Sequence, residues 1–195
     1  SLVHYWRTNL AVMAGVAVAV AVLAGALTVG VSVRRSLRDL VLQRLGQTDR
    51  VVLASGFFRV RLATAFERAA PLIVLEGFVT DQESDRRASR VQVYAVDEHF
   101  WRFHGLEVAA LGAGEAMLSE GLASELATTA GRSVVLRVES ASAIPTESLH
   151  GRKEDVGRSL RLTIRDVLPP EGLGEFSLSP RQGAVRALFV PLARM

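Results

Sequence analysis

The chain has 195 residues, 49% of them hydrophobic, with a net charge of only +3 and no cysteine. Disulfides and thiolate metal sites are therefore excluded. Acidic residues are interleaved with the basic ones throughout, so no basic stripe forms and no nucleic-acid partner is expected. Lys153 is the only lysine; the arginine bias fits genomic base composition and does not single out a phosphate site.

Leu10–Val33 runs without a charged residue. As a helix it is long enough to cross a hydrocarbon core, which takes about 20 apolar residues. It is also longer than the apolar core of a cleaved signal peptide, about 7–15 residues, so an uncleaved anchor is expected. The alternation at Val16–Val22 has strand period, but alanine is not polar and the run is too long for one barrel strand. Ala17, Ala21 and Gly25 form a small-residue ridge at four-residue spacing, the pattern that lets a second membrane helix approach closely. His4 and Arg7 precede the run; Arg34, Arg35 and Arg38 follow it. Charge alone would keep the following domain in the cytoplasm. Long domains cross largely regardless of charge, so the rule leaves orientation open.

Arg34–Leu45 reads as an amphipathic helix with Leu37, Leu40, Val41 and Leu45 on one face and Gly46 as its stop. No proline or glycine separates it from the membrane run after Gly30, so a continuous stalk helix is expected. Further on, a short strand is expected at Val51–Ala54, a helix from Phe57 to Ala70 ended by Pro71, and a buried strand over Leu72–Thr80. A polar turn at 81–89 and a strand at Arg90–Val96 follow. Gly114–Thr128 has helical spacing at Met117, Leu118, Leu122 and Leu126. Ser133–Glu139 alternates with Val134, Leu136 and Val138 on one face. Residues 140–157 read as a loop, Leu160–Val167 as a strand, 169–183 as irregular and Ala187–Leu192 as a closing strand. Helices and strands are interspersed, which predicts an α+β fold.

Motifs for chemistry are weak. Gly112-Ala-Gly114 lacks the third glycine of a dinucleotide loop, because Met117 stands there. The same methionine spoils a nucleophile elbow around Ser119, which is expected on a helix surface. Arg86-Arg87-Ala88-Ser89 has the form of a basophilic kinase site and is read as a solvated loop. Asp97, Glu98, His99 and His104 are the densest group of metal-ligand types, but a five-residue histidine spacing suits no common zinc site. Phe100, Trp101 and Phe103 among them point to an aromatic corner holding satisfied histidines, or else to an aromatic contact surface. No catalytic residue, cofactor site or metal site is assigned, and no enzyme is expected.

Three segments together carry a resemblance. Tyr5-Trp6-Arg7-Thr8-Asn9-Leu10 leads into the apolar helix and then SVRRSLRDLVLQRLG. EAMLSEGLASELATTAGRSVVLRVE (115–139) presents Leu122-Ala123-Ser124-Glu125-Leu126, a turn at Gly131-Arg132-Ser133 and the strand Val134–Val138. Phe189-Val190-Pro191-Leu192 stands near the end of the chain. Their order resembles ABC-transporter permeases of the MacB/FtsX type. Arg132 departs from the acidic residue common at that turn, and 144–152 with 160–180 look like the long-permease subgroup of soil-type bacteria.

The resemblance implies residues 1–33 as an N-terminal segment and transmembrane helix, 34–46 as a stalk, and 47–195 as a periplasmic core domain, held at a bacterial inner membrane with the domain extracytoplasmic. It implies a separate ABC ATPase subunit, a second permease copy or homologue, a periplasmic partner protein and membrane lipid as partners. The coupling would be mechanical, with no cofactor. Further membrane helices are expected in the family after this domain, so the chain is expected to be an opening fragment. The alternative reading is a single-pass, membrane-anchored extracytoplasmic sensor or binding module.

Overall fold

A computed structural model describes residues 5–54, 58–138, 158–179 and 183–195. The chain divides into two compact units, Ser1–Leu42 and Gln43–Met195. The first unit is one element, helix α1 (Trp6–Leu45), whose last turn belongs to the second unit. It runs without a break through the charge-free stretch and the arginines after it, and Gly46 ends it with φ +57. A left-handed residue there suits glycine. A Cβ on Gly46 would sit 2.7 Å from His104 Nδ1.

The second unit is built on six described strands: β1 (Ile73–Asp81), β2 (Arg87–Val96), β3 (Glu115–Ser119), β4 (Ser133–Val138), β5 (Arg158–Leu168) and β6 (Ala187–Pro191). They close a barrel in the order β1-β2-β6-β3-β5-β4. Pairing is antiparallel for β1/β2, β1/β4, β4/β5 and β3/β6, and parallel for β2/β6 and β3/β5. Two short helices, α2 (Glu98–Phe103) and α3 (Glu120–Leu126), complete the α+β unit.

Period-two patterning explains the interior. On β4, Val134 and Leu136 face inward and pair across to Leu162 and Leu160 of β5. Strand β6, most of β3 and the Val91–Val96 half of β2 are buried on both faces, so β6 in particular reads as a nearly continuous apolar run. Val91, Val93, Ala95, Ala116, Leu118, Leu188 and Val190 enter the barrel core with Leu122 and Leu126 of α3. Their alternates Tyr94, Val96, Met117, Ala187 and Phe189 point outward into a second core.

Several expectations change. Gly114–Thr128 is not one helix: 115–119 are strand β3 and the helix starts only at Glu120. Pairing on both sides with β5 and β6 overrides helical spacing there. Ser119 is fully buried rather than on a helix surface. It caps α3 by accepting from Leu122 N–H at 3.2 Å, accepts from Ala187 N–H at 3.0 Å, and donates to the Val185 carbonyl at 2.7 Å.

The expected helix 57–70 is instead a 3-10 turn at Val60–Ala65 followed by irregular chain, with Phe57 outside the described residues. The Thr64 hydroxyl donates to the Arg61 carbonyl at 2.8 Å, a local bond that competes with a helical ladder. Val51–Ala54 pairs with no strand among the described residues and is exposed. Residues 87–89 already belong to β2, with Ala88 buried, so the polar turn is shorter than 81–89 and the arginine-serine motif lies partly in a strand. The loop expected at 140–157 lies outside the described residues.

That turn is held by one buried carboxylate. Asp81 accepts from Ser84 N–H and Oγ at 2.8 Å each, from Glu83 N–H at 3.2 Å and from Thr128 Oγ1 at 2.8 Å. Burial pushes its pKa up, but these donors and the Arg132 charge outweigh burial and hold it below the ordinary 3.8.

Candidate functional site: the seat of the stalk end

The last turn of α1 is seated in the second unit through one arginine. Arg44 is 8% exposed in a helix whose other described residues are exposed, apart from the partly covered Leu45. Its Nε and Nη2 donate to Glu175 Oε2 at 3.1 and 2.8 Å, and Nη2 also donates to the Gly183 carbonyl at 2.6 Å. The Arg44 carbonyl accepts from Ser177 N–H at 3.1 Å. Glu175 is held in turn by Val185 N–H on its other oxygen at 3.3 Å. A planar guanidinium meets several acceptors at once, which an ammonium does not. The cation at the helix C-terminus also complements the helix dipole.

The loop that supplies Glu175 is shaped by close backbone packing. Gly174 N–H donates to the Pro169 carbonyl at 3.0 Å, and a Cβ at Gly174 would lie 2.2 Å from the Leu168 carbonyl oxygen. No side chain fits there. Leu173 and Phe176 on either side are buried in the outer core, so Glu175 is presented from an anchored loop.

A second contact fixes the chain just past the helix. Gln47 N–H donates to His104 Nδ1 at 3.2 Å, and the Gln47 side-chain amide donates to the His104 carbonyl at 3.2 Å. Arg68 donates to Gln47 Oε1 and, at 2.9 Å, to the Phe103 carbonyl, with its guanidinium 5.2 Å from the Phe103 ring centroid. The His104 ring lies 4.7 Å from Phe100 and 5.3 Å from Phe176. Burial, and after it the Arg68 charge, lower the His104 pKa to about 4. The neutral ring is the form that accepts at Nδ1.

The folded pKa is depressed below the unfolded 6.5, so the unfolded chain binds the extra proton first. This stabilisation is whole above pH 6.5 and is lost as pH falls towards about 4. At ~1.4 kcal/mol per unit the loss approaches ~3 kcal/mol. His104→Asn keeps an acceptor near Nδ1 without a proton to gain. In chemical denaturation at pH 7 and pH 5, its stability is expected to fall less than that of the parent chain.

His99 and His104 are not brought together. Asp97 caps α2, accepting from His99 N–H at 3.0 Å and Phe100 N–H at 3.3 Å. Its other oxygen lies 3.0 Å from the exposed His99 Nδ1. Among the described residues, no group of three or more His, Cys, Asp or Glu side chains is placed to hold a metal. Phe100 and Trp101 are core residues, so the corner is an aromatic corner with His104 inside it and His99 on its surface. A cleft of about 380 Å³ between the 60–71 segment and α2 has Phe66, Phe103, His99 and Arg102 in its wall.

Leu37, Leu40 and Val41 are exposed on α1, as are Ala17, Ala21 and Gly25. Among the described residues of the first unit, α1 is the one regular element, and neither set meets another element there. Arg44 was not marked by the sequence: the only signal for it is a basic residue in the final helical turn.

The first unit is a helix long and apolar enough to cross a membrane, and the second is an α+β unit built on a closed barrel of six described strands. Residues 10–195 match the MacB-like periplasmic core domain, and the chain belongs to that family, the domain of MacB/FtsX-type permeases. Among solved structures, the periplasmic region of MacB from Actinobacillus actinomycetemcomitans is similar at 11% identity and a TM-score of 0.37. The match covers 64% of this chain and 48% of that one. The present chain thus spans about half of that relative. No curated protein sequence matches.

Proposed function

We propose that the chain is the N-terminal part of an ABC-transporter permease subunit that transmits movement from a cytoplasmic ATPase to an extracytoplasmic domain. Family membership supports the assignment. The observation that carries the mechanism is the Arg44 seat: a helix that crosses a membrane moves a domain only if its end is fixed there. A flexible tether would absorb the displacement. The arrangement works as follows. Nucleotide binding in a separate ATPase subunit shifts the membrane helices, the displacement passes along α1, and Arg44 and Gln47 deliver it to the loop of Glu175 and to α2.

The permease itself does no covalent chemistry in this scheme. The ridge of Ala17, Ala21 and Gly25 packs a second membrane helix, and Leu37, Leu40, Val41 and Leu45 pack the stalk against its neighbours, in a dimer with a second permease copy. Residues 1–33, 34–46 and 47–195 act as anchor, stalk and core domain at a bacterial inner membrane. The transported cargo is a substrate exported or extracted on the outer side.

The topology has a direct test. A reporter that fluoresces only in the cytoplasm, fused after Met195 and expressed in bacteria, is expected to stay dark, while an alkaline phosphatase fusion at the same point is active. A bright reporter would place the domain inside and remove the proposal.

A further inference from the structure

Just after the end of α1 lies an exposed apolar stretch. Val51, Val52 and Leu53 are 47%, 63% and 82% exposed, and Phe58, Val60, Leu62 and Phe66 are also exposed. Exposed apolar residues occurring singly are ordinary, but a run of them indicates a surface that is covered in use. Its charge is one-sided. Between Arg50 and Phe66 the sequence contains no acidic residue, while Arg50, Arg59 and Arg61 are exposed among the apolar side chains.

We infer that residues 51–54 and 58–66 form a membrane-surface contact, in which Leu53, Phe58 and Phe66 enter the headgroup layer and Arg59 and Arg61 meet anionic lipid phosphates. Interleaved arginine and apolar side chains suit an interface that is anionic outside and greasy beneath. A second copy of the segment is disfavoured as occupant, because a two-fold contact would set arginines against arginines.

Position along the chain agrees. Helix rise between Arg34 and Leu45 is about 18 Å, and the headgroup layer takes up roughly 5–8 Å of it. The chain from Gly46 to Leu53 spans up to about 26 Å when extended. Arg68, bonded to Gln47 and the Phe103 carbonyl, ties the far end of the segment beside the end of the helix. Chain length alone therefore lets the segment reach the bilayer that α1 is proposed to cross.

The absence of native cysteine makes the test clean. The full chain carries a single environment-sensitive fluorophore at Leu53→Cys or Phe58→Cys, or at Ser159→Cys as an exposed reference on β5. It is placed in nanodiscs of phosphatidylcholine alone or with phosphatidylglycerol, with and without spin-labelled lipid. Blue-shifted emission and lipid quenching are expected at Leu53 and Phe58 in the anionic discs and not at Ser159. Arg59→Gln with Arg61→Gln is expected to lower the contact equilibrium by about thirty-fold. An aqueous spectrum at both sites in both lipids overturns the inference. So does quenching equal to that at Ser159, or a shift that appears only when two copies share a disc. Flotation of the unlabelled chain with liposomes reports the anchor separately. Retained flotation without segment contact removes this inference and leaves the coupling proposal standing.

Discussion

Arg44→Ala is expected to lower the stability of the second unit by about 3 kcal/mol, the scale for removing one partner of a buried ion pair. The substitution takes away both bonds to Glu175 and the bond to the Gly183 carbonyl, and leaves a carboxylate that is only 24% exposed without its counter-charge. For a unit of this size the melting point is expected to fall by about 6–12 °C, read by differential scanning fluorimetry of the full chain in detergent. Glu175 keeps its bond from Val185 N–H, so Glu175→Gln alone is expected to cost less than Arg44→Ala. The double variant is expected to cost less than the sum of the two. Arg44→Lys keeps the charge but not the fork, and is expected to fall between the parent and the alanine variant. Additive costs in the double variant would mean that the two side chains do not act as a pair.

Trp101→Ala is expected to be the more damaging change, by about 4 kcal/mol, because it empties a large site in a packed core. Trp101 is 2% exposed and lies 5.3 Å from Phe100 and 5.4 Å from Phe189 between ring centroids. Together with Tyr94 and Phe176 these rings join α2 to the outward face of β2 and β6. Trp101→Phe keeps most of the volume and is expected to cost clearly less in urea denaturation. Loss of α2 packing would also release His104, so the alanine variant is expected to lose the pH dependence assigned to that ring. A Trp101→Ala protein as stable as its parent would mean that the aromatic corner is a surface feature.

The sequence and the fold agree wherever a period could be read against one partner face. Val134, Leu136 and Val138 share a face on β4 as their alternation indicates, and α1 runs unbroken because no proline or glycine interrupts its stalk. The failures have particular causes. At 115–119, Met117 and Leu118 are both buried because β3 is covered on its two faces, so the residues lose the period that separates strand from helix. At 57–70 an apolar, helix-like composition lacks a core to pack against, and local hydrogen bonding leaves only a single 3-10 stretch.

The seat of the stalk was the least legible part. Arg44 and Glu175 are 131 positions apart, and a basic residue in a final helical turn does not name its partner. Gly174 permits the tight turn before the carboxylate, where a Cβ would lie 2.2 Å from the Leu168 carbonyl oxygen. His104 stood out among the ligand types, but its partner is the backbone of Gln47, and a backbone partner leaves no trace in residue identity.

In the proposed mechanism, nucleotide-driven movement reaches the extracytoplasmic domain through Arg44. The direct measurement is the distance between spin labels at Ser159→Cys on two copies, in the full permease assembled with its ATPase in nanodiscs, recorded with ADP and with a non-hydrolysable ATP analogue. The expected distance distribution shifts between the two nucleotides in the parent and stays fixed in Arg44→Ala. A parent distribution identical in both states, or an Arg44→Ala variant that shifts as fully as the parent, would contradict it.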